Sequence, residues 1–147
     1  MISTRRWLAF SASWGPVVLW AAVIFSFSTE SFSSPETSRI LGPALNWFFP
    51  SMSAHQFEVI HLTIRKLGHC SEYFIFAILV HRALRHRPGN YSKLLHNAFT
   101  AIIIFVYAIS DELHQAFVPS RTASVADVLL DSFGGVCALL WLSLWRK

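Results

Sequence analysis

The chain has 147 residues, of which 54% are hydrophobic, 15% are aromatic and only 14% are charged, and its formal net charge is +4. Soluble globular domains carry about 25% charged residues and disordered chains are poor in aromatic residues, so this composition disfavours both classes. The length suits a single domain over residues 1–147, and two cysteines are too few for a disulfide framework.

Four apolar stretches are long enough to cross a membrane. A hydrocarbon core about 30 Å thick needs roughly 20 apolar residues in a helix. We predict membrane-spanning helices at about 7–27, 65–85, 94–113 and 125–145. The second of these carries His69, Glu72 and His81, so its neighbours are expected to shield these side chains from lipid. The predicted fold class is all-α, a four-helix transmembrane bundle.

The segment between the first two spans is predicted to be an outer loop over 28–53, followed by a short amphipathic helix. The aromatic patch at 47–49 is typical of an anchor at the membrane interface. Ser53 and Gln56 have the spacing of a capping box, which marks the start of a helix. Apolar residues then recur at helical spacing, at Phe57, Ile60 and Ile64. This pattern predicts a short amphipathic segment on the membrane surface before the second span.

The charged residues predict the orientation of the spans. With the N-terminus inside, eight of the twelve Lys and Arg residues lie in inner segments: Arg5, Arg6, Arg82, Arg85, Arg87, Lys93, Arg146 and Lys147. Under the positive-inside rule, both termini and the turn at 85–90 are therefore predicted to be cytoplasmic. All eight acidic residues lie in an outer segment or in the outer half of a helix: Glu30, Glu36, Glu58, Glu72, Asp111, Glu112, Asp127 and Asp131.

Three polar clusters lie at the outer ends of the second, third and fourth spans. Their members are the predicted ligand-binding residues: Lys66, His69, Glu72, Tyr73, Asp111, Glu112, Gln115, Arg121, Asp127 and Asp131. Ionisable side chains placed inside a membrane are costly and usually face a bundle interior or a wet cavity. We therefore predict a polar cavity that is open to the outer side and lined by these three spans.

The predicted cavity is short of positive charge. It contains five acids (Glu72, Asp111, Glu112, Asp127 and Asp131) and three fixed bases (Arg65, Lys66 and Arg121), which gives −2 with neutral histidines. Histidine protonation, raised carboxyl pKa values, a bound cation or a cationic ligand group would each balance this charge. The sequence leaves these alternatives open. No cofactor is expected, and a divalent cation at the outer carboxylates is the open alternative.

Some of these residues also have a purely structural interpretation. Asp127 follows Ser124 with the spacing of a capping box at a helix start. In this interpretation Arg121 forms an ion pair with Asp111 or Glu112 and so holds the loop between the last two spans. The two glycines at 134–135 favour close packing of helices rather than ligand binding.

The three clusters together resemble the VanZ-like family. The motifs are K-L-G-H-C-S-E-Y at 66–73, D-E-L-H-Q-A-F-V-P-S-R at 111–121 and S-V-A-D-V-L-L-D-S-F-G-G at 124–135. Residues that match the family pattern are Lys66, His69, Tyr73, Asp111, Glu112, Gln115, Arg121 and Asp127. Ser120 stands where Gly is common, and Asp131 stands where Asn is common. The resemblance implies a small multi-pass protein of the bacterial cytoplasmic (inner) membrane, and the family's namesake is an accessory protein of glycopeptide (teicoplanin) resistance.

The favoured function is that of a cell-envelope accessory protein whose outer cavity binds a lipid headgroup or a lipid-linked cell-wall precursor. Arg121 and Lys66 would contact phosphate or carboxylate groups. Asp111, Glu112 and Asp127 would contact an ammonium group or a cation. The expected partners are membrane lipids or such a precursor, a homo-oligomer is left open, and no nucleic acid is expected because topology explains the basic residues.

Two alternatives to this function remain open. The first is a membrane-embedded enzyme, with Glu72 or Glu112 as general base and His69 as acid, with or without a divalent metal. It is less favoured because the sequence carries no nucleophile signature and no known metal-ligand spacing. The second is an ion-coupled transporter, which the intramembrane acids allow. The acids stop in the outer half, however, so no path across the membrane is evident.

Overall fold

The computed structural model describes residues 2–85 and 92–145. These residues form five α-helices and a 3-10 turn at Glu30–Phe32, with no strand in either described range. The helices are α1 (Ile2–Phe27), α2 (Ser34–Phe48), α3 (Ala54–Arg85), α4 (Lys93–Ala116) and α5 (Val125–Leu144). The all-α class is confirmed, and the number of helices equals the four predicted spans plus the predicted amphipathic helix, although the division of 28–85 into helices differs from the prediction. The predicted turn at 85–90 lies outside the described residues except for Arg85, as do the basic residues at 146–147.

Three of the helices are long and apolar enough to cross a membrane. They are α1 over Phe10–Phe27, α4 over its whole length and α5 over its whole length. These three helices agree with the first, third and fourth predicted spans. They fit a multi-pass membrane protein. Large apolar side chains point outward from all three, for example Leu19, Ile102 and Leu140. The helix α3 contains the second predicted span, but it does not reach the same apolar composition.

The segment before the second span differs from the prediction in two ways. The predicted outer loop contains the 15-residue helix α2, and the predicted short amphipathic segment is the beginning of the 32-residue helix α3. The capping box forms as expected, because the Ser53 N–H donates to Gln56 Oε1 over 2.9 Å and the Gln56 N–H donates to Ser53 Oγ over 3.2 Å.

Both differences have a local cause. The Pro and Ser residues that suggested a loop include Pro35, which lies in the first turn of α2, where a missing backbone N–H costs nothing. No proline interrupts the chain between Ser53 and Arg85. The helix begun by the capping box therefore continues directly into the polar cluster, through Gly68.

The helix α3 holds the structure together by packing against α1, α4 and α5. The Trp20 indole N–H of α1 donates to the Glu72 carbonyl of α3 over 2.9 Å. The Tyr107 hydroxyl of α4 donates to the Ala21 carbonyl of α1 over 2.7 Å. The buried core includes small residues of three helices: Ala77, Ala83, Ala108 and Ala138. Small side chains let helix backbones approach closely, which is how helices associate in a membrane.

The helices α3 and α5 approach each other closely at Gly134. A Cβ atom placed on Gly134 would collide with the carbonyl oxygen of Cys70 in α3. A Cβ atom on Gly135 would lie 2.8 Å from Ile104 Cγ2 in α4. The predicted packing role of this glycine pair is confirmed, and it brings α5 against both neighbours.

We expect Gly134→Ala to lower the free energy of unfolding by about 1–3 kcal/mol, because the added methyl group forces α3 and α5 apart. Thermal and denaturant unfolding of the purified protein in detergent measure this change. Gly15→Ala in α1 is the matched control, since nothing lies within 4 Å of a Cβ atom at that position. Equal stability of the Gly134→Ala variant and the wild type would contradict the close contact.

Candidate functional site

The three polar clusters meet at one end of the helices, where α1 and α4 end, α5 begins and α3 passes through. Five predicted site residues are buried there, each at most 5% exposed: Tyr73, Asp111, Glu112, Gln115 and Asp131. Three of them are carboxylates from two helices. Burial of a carboxylate is costly unless another group compensates its charge. The partners of these three side chains therefore decide what the site can do.

The carboxylate of Asp131 lies beside His69. His69 Nδ1 of α3 and Asp131 Oδ1 of α5 are 3.3 Å apart. Asp131 is fully buried, and neither of its oxygens has a hydrogen-bond partner in the described part of the chain. The close contact of α3 with α5 at Gly134 is what brings these two side chains together.

The carboxylate of Asp111 is held by two donors. The Ser28 hydroxyl, just beyond the end of α1, donates to Asp111 Oδ1. The Gln115 amide, one turn further along α4, donates to Asp111 Oδ2 over 3.2 Å. Ser28 was not predicted from the sequence, because a serine at a helix end commonly bonds its own backbone. Ser28 Oγ does lie 3.2 Å from the Ile24 carbonyl. Nothing in the sequence indicated that the same hydroxyl would also reach Asp111.

The carboxylate of Glu112 holds the start of α5. The Ser124 N–H donates to Glu112 Oε2 over 2.7 Å, and Glu112 Oε1 has no hydrogen-bond partner in the residues described. Ser124 is the N-cap residue, and its Oγ accepts from the Ala126 N–H over 3.2 Å. In the predicted capping box, the Asp127 side chain accepts from the Ser124 N–H. That role belongs instead to Glu112 of α4, which reaches Ser124 from the neighbouring helix.

The guanidinium of Arg121 binds the end of α1 rather than a carboxylate. Its Nη2 donates to the carbonyls of Phe27 and of Thr29, the latter over 3.2 Å. The prediction that Arg121 pairs with Asp111 or Glu112 is therefore wrong. The last carbonyls of a helix lack intrahelical donors and carry the negative end of its dipole, so they attract a cation. Burial lowers the pKa of Arg121 from its ordinary value, and the positive charge of Arg65 adds to this effect.

A cavity of about 210 Å³ lies above these buried groups. Its ionisable wall residues are Arg65, His69, Glu72 and Arg121. The hydroxyl residues Ser28 and Thr37 also line it, and much of the remaining wall is apolar: Phe27, Phe32, Leu41 and Ile64. The predicted cavity between the second, third and fourth spans differs from this one. The observed cavity is covered by the segment that contains the 3-10 turn and α2, and neither α4 nor α5 lines it.

The predicted site residues divide into three groups relative to the cavity. His69, Glu72 and Arg121 line it. Tyr73, Asp111, Glu112, Gln115 and Asp131 are buried and do not line it. Lys66 is exposed and Asp127 is partly buried, and neither lines it. Arg65, which the sequence identified only as a base, is on the cavity wall and donates to the Phe32 carbonyl over 3.3 Å.

One group of side chains has the composition and spacing of metal ligands. His69, Asp111 and Asp131 each offer one ligand atom, and these atoms all lie within 4.8 Å of one another. The three residues come from three different helices. Only the packing of α3, α4 and α5 brings them together.

Comparison with known proteins gives one match. The sequence model of the family described as VanZ/LLP1 matches residues 13–146, which is nearly the whole chain. No curated protein matches the chain, and no solved structure does.

We expect Glu112→Ala to lower the free energy of unfolding by about 1–3 kcal/mol, because the partly buried Ser124 N–H loses its acceptor. Unfolding in detergent, followed by circular dichroism, measures this change. Glu36→Ala is the matched control. Glu36 pairs with Arg39 on an exposed surface, and removing such a pair changes stability by about 1 kcal/mol or less. Equal losses in both variants would contradict the role of Glu112.

Proposed function

The chain belongs to the VanZ/LLP1 family, and we propose that it is a cell-envelope protein of the bacterial inner membrane that binds a lipid headgroup in its outer cavity. The ligand class is a membrane lipid or a lipid-linked cell-wall precursor. Binding of a precursor would connect the protein to glycopeptide resistance, in which the family's namesake is an accessory protein. The proposal depends on the membrane orientation and on the chemistry of the cavity wall.

The orientation is supported by how charge is distributed along the helices. In the proposed arrangement α3 is the fourth membrane-spanning helix, and its polar face is shielded by contact with the others. The described basic residues at the inner ends are Arg82, Arg85 and Lys93, and every acidic residue lies toward the other end. The positive-inside rule then places both termini in the cytoplasm and the cavity at the outer surface.

One observation carries the proposed ligand: the cavity combines two guanidinium groups and a carboxylate with an apolar wall. Arg65 uses one nitrogen for one backbone carbonyl, and Arg121 uses one nitrogen for two. A guanidinium has five N–H donors, so donors remain for a phosphate. Glu72 is suited to an ammonium group. Phe32 and Ile64 on the wall are suited to the first carbons of an acyl or prenyl chain.

Catalysis at this site is less well supported than binding. Of the three predicted catalytic residues, Glu112 is the one that does not line the cavity, and its Oε2 is occupied by the Ser124 N–H. A general base must reach the proton that it removes. Glu72 and His69 do line the cavity, where they are suited to hold a headgroup.

We expect a C-terminal green fluorescent protein fusion to be fluorescent in bacteria and a C-terminal alkaline phosphatase fusion to be inactive, because the C-terminus is cytoplasmic. Fusions after residue 50, between α2 and α3, give the reverse result. An active phosphatase at the C-terminus would contradict the orientation and would place the cavity on the cytoplasmic side.

We expect Arg65→Gln to weaken lipid binding by about tenfold or more, since it removes charge-assisted hydrogen bonds to the headgroup phosphate. Native mass spectrometry of the detergent-purified protein, titrated separately with phosphatidylethanolamine and phosphatidylglycerol, measures this change. Glu72→Gln is expected to weaken phosphatidylethanolamine binding selectively, because only that headgroup carries an ammonium.

The matched control for this titration is Arg39→Gln, which changes an exposed arginine away from the cavity. It should retain the affinity of the wild type. If the wild type retains neither lipid, or if the Arg39 and Arg65 variants lose affinity equally, the cavity is not the binding site.

A further inference from the structure

We propose that His69, Asp111 and Asp131 form a binding site for a divalent first-row transition-metal ion, Zn²⁺ or Mn²⁺. The site lies below the cavity, where α3, α4 and α5 meet. It provides one imidazole nitrogen and two carboxylate oxygens. The proposal goes beyond lipid binding and does not depend on it.

The distances suit a small metal ion. The three ligand atoms lie within 4.8 Å of one another, and His69 Nδ1 and Asp131 Oδ1 are 3.3 Å apart. Two ligands bound at about 2.0–2.1 Å to a tetrahedral zinc ion lie about 3.3–3.4 Å from each other. A water molecule or an anionic group would complete the coordination.

The hydrogen bonding of Asp131 is an independent observation that points to a cation. Its side chain is fully buried, and across residues 2–85 and 92–145 neither of its oxygens has a hydrogen-bond donor. The nearest ionisable group is His69, whose Nδ1 lies 3.3 Å from Asp131 Oδ1 without a hydrogen bond between the two atoms. Buried polar atoms in native proteins are nearly always paired. A metal ion between these atoms would satisfy the two side chains together.

The surroundings of Asp111 are those of a metal ligand with supporting hydrogen bonds. Ser28 donates to one of its oxygens and Gln115 donates to the other. A carboxylate oxygen accepts more than one bond, so each oxygen retains capacity for a metal. Hydrogen bonds of this kind orient the carboxylate ligands of metal sites.

Charge and donor type identify the class of ion. Two carboxylates and a neutral imidazole carry −2, which a divalent cation neutralises. Imidazole suits zinc and other transition metals, whereas carboxylates suit manganese and magnesium. The mixed donor set therefore favours Zn²⁺ or Mn²⁺ over Ca²⁺ or Mg²⁺. His69 also lines the cavity, so the open coordination positions lie next to the space proposed for a headgroup.

The test is metal binding by the full chain purified in detergent, treated with a chelator and then titrated with Zn²⁺ or Mn²⁺ alone. Isothermal titration and elemental mass spectrometry measure the affinity and the stoichiometry. We expect the wild type to bind about one ion per chain and Asp131→Asn and His69→Gln to lose that binding. Ser28→Ala, which removes a supporting hydrogen bond to Asp111 and no metal ligand, is expected to weaken the affinity about 10–100-fold.

Two control variants distinguish binding at these three residues from binding elsewhere on the chain. His55→Gln removes an exposed histidine and should leave metal binding unchanged. Arg65→Gln should also bind the ion normally, so a failure of lipid binding is distinguishable from a failure of the metal site. If Asp131→Asn does not fold, His69→Gln and Ser28→Ala carry the test.

Three results would overturn the proposal. The first is a wild-type protein with no saturable binding of either ion. The second is undiminished binding by the folded Asp131→Asn or His69→Gln variant. The third is an equal loss in His55→Gln, which would indicate adventitious binding to surface histidines.

Discussion

Three carboxylates are buried between apolar helices, and each one has a partner that lies outside its own helix. Asp111 accepts from Ser28 beyond the end of α1, Glu112 accepts from the Ser124 N–H at the start of α5, and Asp131 lies against His69 of α3. A buried carboxylate without compensation destabilises a protein strongly. These three contacts therefore fix the relative positions of the helix ends.

The cavity is a consequence of the same arrangement. Arg121 binds the last carbonyls of α1 and so keeps the loop before α5 at the cavity wall. The covering helix α2 is held from the other side, because Thr37 Oγ1 lies 2.9 Å from His61 Nε2 in the first half of α3. Burial and the charge of Arg65 lower the pKa of His61 from its ordinary value, which favours the neutral ring. The part of α3 that precedes the predicted second span therefore supports α2 above the cavity.

Residue type and local spacing predicted a large part of this structure. The three apolar spans were found because a helix that crosses a membrane needs a continuous apolar run, which hydropathy detects directly. His69 and Asp131 were identified as site candidates because each interrupts such a run. The helix α2 was missed because the same Ser and Pro residues occur in loops and in the first turn of a helix.

The sequence by itself determined the helical class, three apolar spans, the capping box at Ser53 and the identity of the polar residues that cluster at one end of the helices. These properties depend on neighbours a few positions away. Only the tertiary structure decided which polar groups meet, because the partners are far apart in the chain: Ser28 and Asp111 by 83 positions, and Phe27 and Arg121 by 94. The close packing of α3 against α5 at Gly134 brings His69 beside Asp131. The glycine pair predicted close packing of α5, but the helix that it contacts is distant in sequence, so local spacing did not identify it.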